Sequence, residues 1–113
     1  MSKIKFTGCM AVAALIASMS AVAQDTRDGE LAMADDELNA AYKALLANLD
    51  TAGQQHLRAA QRAWIQMRDA DCQWAFVDRR DCLIDRTTNR TEELKNTYFS
   101  AKDGEYKSLS DAE

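Results

Sequence analysis

The sequence contains no proline and only four glycines in 113 residues. Sandwiches and barrels turn the chain repeatedly and recruit both residues to do so, so this scarcity argues against them and for helices. Histidine is scarcer still. One imidazole, His56, and three cysteines leave few general bases, nucleophiles or metal ligands. No G-x-S-x-G, H-E-x-x-H, C-x-x-C-H or glycine-rich phosphate loop occurs. No acidic run carries the glycine that a calcium loop needs at its sharp turn. Asp69 with Asp71, and Glu92 with Glu93, stand one or two positions apart and do not face one another on a helix. The chain therefore reads as a non-enzyme without cofactor or metal. Basic charge is short as well: 14 Lys+Arg against 18 Asp+Glu give a net −4, which argues against nucleic acid as a partner.

What is present begins with a leader. Lys3 and Lys5 open the chain, Ala11 to Ala17 is uncharged and mostly aliphatic, and Ala21-Val22-Ala23 is a small-x-small cleavage pattern. This order describes a secretory signal peptide, residues 1–23, cut after Ala23. A membrane anchor fits less well, because Ser, Thr and Gly dilute the run from Phe6 to Gln24 and no basic stop follows. Cys9 has almost no apolar segment before it, which argues against lipidation. Cleavage leaves one domain, residues 24–113, periplasmic or secreted and without membrane attachment. Losing Lys3 and Lys5 deepens the net charge from −4 to −6. Losing Cys9 leaves Cys72 and Cys82, which are expected to pair in an oxidising compartment.

Helical periodicity then appears three times. Leu38, Tyr42, Leu45 and Leu49 form one stripe, opposed by Asp36, Asn39, Lys43 and Asn48. Leu31 and Ala34 extend it, with Asp28 and Asp35 as alternative caps. Thr51 followed by Gln54 has the capping-box pattern and starts a second helix near Ala52, with Gly53 in its first turn. So short a connection predicts an antiparallel hairpin. The second stripe is Leu57, Gln61, Trp64, Arg68 and Cys72, widened by Ala60, Ile65, Met67 and Ala75. Gln61 and Arg68 interrupt an apolar line. Either Arg68 lies at its edge with its head in solvent, or it joins a buried polar network with another helix; the network is the stronger reading. A third helix, with Asp81 as its expected cap, carries Leu83, Thr87, Arg90, Leu94 and Tyr98, beside Ile84, Thr91 and Phe99. The core spans about 31–100, and Lys102 to Glu113 is expected to fray. The fold class is all-α: a small antiparallel helical bundle, a hairpin plus a third helix, stapled by one disulfide.

Between the cysteines lie Trp74, Phe76 and Val77, followed by Asp78, Arg79, Arg80 and Asp81. The three apolar residues read either as a satellite core around the disulfide, which is favoured, or as an exposed patch for a partner. The four charged residues are candidate partner contacts. Their alternative is a solvated cluster beside a structural disulfide.

The pattern Leu38-Asn39-x-x-Tyr42, then Gln61-Arg62-Ala63-Trp64-Ile65-x-x-Arg68-Asp69 and Cys72, closely resembles the lysozyme inhibitor LprI-like N-terminal domain family. So does Cys82-Leu83-x-x-x-Thr87-x-x-Arg90-x-x-x-Leu94. The resemblance covers about Leu31 to Tyr98 and implies a small exported bacterial protein that inhibits lysozyme. Two departures stand out: residues 24–36 lack the extra cysteine pair of many relatives, and the stretch between Cys72 and Cys82 is shorter and free of glycine. The expected partner is a lysozyme or another cationic cell-wall hydrolase, towards which an acidic chain is attracted. The competing expectation is a structural or stress-related envelope protein that binds another protein or ligand without inhibiting lysozyme.

Overall fold

A computed structural model describes residues 26–112; the expected signal peptide and Cys9 lie outside them. Three helices dominate: α1 (Arg27–Asn48), α2 (Thr51–Asp71) and α3 (Arg79–Asn96). This is the expected all-α bundle. Two short strands follow, β1 (Phe99–Ser100) and β2 (Tyr106–Lys107), paired antiparallel with Phe99 opposite Lys107. A 3-10 turn, Ser110–Ala112, ends the described chain.

The helices run up, down and up. α1 and α3 are parallel, because Arg27 at the start of α1 pairs with Asp81 at the start of α3, while Leu38, Leu45 and Leu94 share one core further along. α2 runs back alongside this pair, so its late residue Arg68 meets Thr87 and its middle residue Gln61 meets Arg90. Small residues, Ala34 and Ala41 on α1 with Thr87 and Thr91 on α3, are buried and let these two helices pack directly. α2 stands further off and touches its neighbours along the narrow line Leu57, Gln61, Trp64, Arg68 and Cys72. Ile65 and Met67, expected to widen that line, therefore face solvent.

The α1–α2 corner is two residues long. Asp50, one residue before the expected Thr51, caps α2 by accepting from the Gly53 backbone N–H at 2.8 Å. A Cβ on Gly53 would lie 3.1 Å from that carboxylate oxygen and 3.2 Å from Leu49 Cβ, so glycine lets the cap close. Gln54 Nε2 reaches back to the carbonyls of Leu46 (2.9 Å) and Leu49 (3.2 Å), serving acceptors that the end of α1 leaves over. At the other helix starts, Thr26 rather than Asp28 or Asp35 precedes α1, and Asp78 rather than Asp81 caps α3.

The tail corrects the expectation of fraying. Helix α3 ends at Asn96, where the Thr97 hydroxyl donates back to the Glu93 carbonyl at 2.6 Å. Tyr98 thus leaves the helical stripe and is half exposed, its ring 5.4 Å from that of Tyr106. The Lys102 N–H donates to the Asn48 carbonyl at 2.8 Å, so the turn between the strands caps α1. Gly104 supplies the positive φ (94°) which that turn requires. Phe99 and Leu109 then pack on the core of Leu38, Ala41, Leu45, Trp64 and Leu94.

Candidate functional site

Trp64 is the hinge of the polar network. Its indole sits in the core, with the Arg68 guanidinium 5.2 Å from the ring centroid and that of Arg90 at 5.7 Å. Two cations over one indole are attracted by its quadrupole. Each is also anchored by hydrogen bonds. Arg68 donates from Nε (3.0 Å) and Nη2 (2.9 Å) to Asp69 Oδ1, and from Nη1 to Thr87 Oγ1 at 3.3 Å. Arg90 donates to Gln61 Oε1 at 3.1 Å and to Glu93 Oε2 at 3.1 Å. The network expected from the interrupted stripe is present.

At the far end of α2, Cys72 and Cys82 are bonded, and Cys82 is fully buried. The loop they close turns its apolar residues outward: Trp74 is 77% exposed, Phe76 52% and Val77 109%. The satellite core is thus replaced by a surface. A loop this short, crossing from one helix end to the next, leaves no neighbouring element for them to pack under. Phe76 takes a positive φ of 66°, a costly conformation for a bulky side chain.

The charged residues beside this loop divide by role. Asp78 accepts from the Arg80 backbone N–H (2.8 Å) and from its guanidinium (3.2 and 3.3 Å). The hydrogen bond from the Arg80 side chain, above all, holds the Asp78 carboxyl below its usual range. Arg80 also reaches Asp28 at 3.1 Å, and Asp81 accepts from Arg27 Nε at 2.9 Å. Asp78, Arg80 and Asp81 thus tie the starts of α1 and α3 together. Arg79 is left exposed beside the loop.

A groove of about 410 Å³ runs between α1 and α2. Asp35, Leu38, Asn39 and Tyr42 form one wall; Arg58, Gln61, Arg62, Ile65 and Arg68 form the other. Among the described residues no three or more His, Cys, Asp or Glu side chains converge to hold a metal ion, and no helix is long and apolar enough to cross a membrane.

A family model described as "Lysozyme inhibitor LprI" matches residues 9–94. The chain belongs to the LprI lysozyme-inhibitor family. An uncharacterised protein of Rhizobium meliloti (strain 1021) is 31% identical over 98 residues, covering 66% of this chain and 70% of its own length. No solved structure matches.

Among the residues that carry the LprI pattern, Leu38, Gln61, Trp64, Arg68, Cys72, Cys82, Thr87, Arg90 and Leu94 join helices. Leu38, Asn39, Tyr42, Gln61, Arg62, Ile65 and Arg68 line the groove, so Leu38, Gln61 and Arg68 do both. Sequence reasoning missed the groove because periodicity reports the side of a helix that is buried, not the gap beside it. One signal was available. Arg58 and Arg62 stand four apart on α2 without an acidic residue one turn away on either side.

Proposed function

We propose that this LprI-family protein is exported and inhibits a cationic, lysozyme-type peptidoglycan hydrolase, with the Cys72–Cys82 loop as the inhibitory contact. The outward display of Trp74, Phe76 and Val77 carries this reading. Clustered aromatic and aliphatic side chains in water are unfavourable unless a partner covers them. Aromatic residues are also the usual anchors of protein interfaces. Covalent closure removes conformational freedom before binding, which lowers the entropic cost of docking. A glycosidase cleft presents paired carboxylates, and Arg79 at the loop's edge supplies a guanidinium for one of them. Arg80 is committed to Asp78 and Asp28 and serves the fold. The acidic balance of the chain favours encounter with a basic enzyme. The leader, residues 1–23, delivers the domain to the compartment where such enzymes act.

The test is inhibition of purified lysozymes from several structural classes by the chain from Gln24 onward. At least one enzyme should be inhibited. Trp74→Ser with Phe76→Ser should weaken that inhibition at least tenfold, about 1.4 kcal/mol, at an unchanged unfolding midpoint. Absence of inhibition across the panel would sink the inhibitor reading. Full inhibition by the folded double variant would move the contact away from the loop.

A further inference from the structure

The groove between α1 and α2 combines features that packing alone does not explain. It lies apart from the Cys72–Cys82 loop, so a ligand bound in it is independent of whether the chain inhibits a lysozyme. Its charge runs against the molecule. In a chain of net −4, three arginines, Arg58, Arg62 and Arg68, face one carboxylate, Asp35. Arg68 is occupied by Asp69 and Thr87, and Asp35 lies 4.0 Å from it. Arg58 and Arg62 make no ion pair or hydrogen bond among the described residues. Like charges one helical turn apart repel and destabilise a helix. Neither side chain is buried, so neither repays that repulsion by packing.

The remaining lining is neutral and capable of hydrogen bonding. Gln61 is 8% exposed, and its Oε1 is taken by Arg90 Nε at 3.1 Å. The group it retains for a ligand is therefore the amide N–H. Asn39 offers both a donor and an acceptor, and Tyr42 offers a hydroxyl. Leu38 and Ile65 supply apolar surface between these groups. The volume, about 410 Å³, falls within the roughly 300–1,000 Å³ of small-ligand sites.

We infer that this groove binds a short acidic peptide segment, its carboxylates held by Arg58 and Arg62 and its amides by Asn39, Tyr42 and Gln61. Two guanidinium groups a helical turn apart call for two carboxylates on one ligand, and guanidinium is the cation best shaped for them. Amide and hydroxyl side chains between apolar contacts match a peptide backbone with small side chains. A compact inorganic anion would leave both unused.

The experiment uses the chain from Gln24 onward, labelled with nitrogen-15, and the probe acetyl-Glu-Ala-Glu with a free carboxyl terminus. Titration should shift the side-chain amide resonances of Asn39 and Gln61, and affinity should fall at least tenfold in Arg58→Gln/Arg62→Gln. Both arginines are exposed and repel one another, so the variant should keep or slightly raise its unfolding midpoint; Arg62→Gln alone should give an intermediate loss of affinity. Two control probes define the class. The neutral acetyl-Gln-Ala-Gln-amide should bind at least tenfold more weakly, and citrate should leave the Asn39 and Gln61 amides unmoved. No shift at those amides with the acidic peptide would overturn the assignment. So would equal affinity in the folded double variant, an equal response to the neutral peptide, or an equal response to citrate.

Discussion

Trp64 holds two positive charges over its ring, and this arrangement separates residues that look alike in the sequence. Arg68 and Arg90 each satisfy carboxylate and neutral oxygens while covering the indole. Arg79 does neither. Trp64→Ala should cost about 3–5 kcal/mol, as a large core aromatic does. Arg68→Met and Arg90→Met should each lower stability more than Arg79→Met, because each leaves buried or half-buried acceptors without their donor. Chemical denaturation reads all four. Equal midpoints for the three arginine variants would mean that the guanidinium heads contribute nothing and only their stems pack. The same pair of cations shows what periodicity conveys and what it hides. A polar residue on an apolar stripe announces a network, but not which helix supplies the acceptors.

Among the elements, the helices were legible and their edges less so. The stripes of α1, α2 and α3 lie where the leucine, tryptophan and threonine spacing puts them, because burial on one face of a helix leaves a 3.6-residue imprint. Caps shifted by one or a few residues, since Asp50 and Thr51, or Asp78 and Asp81, are all acceptable acceptors and only backbone direction chooses between them. The ribbon from Phe99 to Lys107 left almost no imprint. Its strands are two residues long, and its stability comes from Phe99 and Leu109 meeting a core built elsewhere. The loop from Gln73 to Val77 was misread for the opposite reason: apolar composition argues for burial, yet a loop that spans adjacent helix ends has nothing above it. Its closure has a measurable worth. Tying two residues ten apart should contribute about 3 kcal/mol in the chain-entropy model. Thiol labelling of the unreduced, denatured chain from Gln24 onward should find no reactive cysteine. Cys72→Ser should lower stability by about that amount, the more so because it leaves Cys82 buried without its partner.

At the scale of the molecule, the parallel pair α1 and α3 is fastened at both ends. Charges join the two starts, and the turn at Lys102 joins the end of α1 to the ribbon that follows α3. The charged end gives the fold an acid limit. Asp78 is held below the usual carboxylate range, chiefly by the Arg80 side chain, so it gives up its charge at lower pH in the folded chain than in the unfolded one. Its contribution is complete above the ordinary Asp pKa of about 3.9 and disappears as the pH falls through the native value. Thermal midpoints followed from pH 6 downward should therefore drop, and Asp78→Asn should flatten that decline. An identical acid slope in wild type and variant would assign acid sensitivity to other carboxylates.

The Cys72–Cys82 bond has a consequence for survival among proteases. Trp74, Phe76 and Val77 lie exposed on a loop, where nicking leaves more of a fold intact than a cut inside a helix. Anywhere else in the chain a cut divides the molecule. Between these two cysteines it does not: both fragments stay linked through sulfur, and α2 and α3 keep their shared anchor at buried Cys82. Scission in this exposed loop thus leaves a single covalent particle, which travels as one band until a reductant separates it.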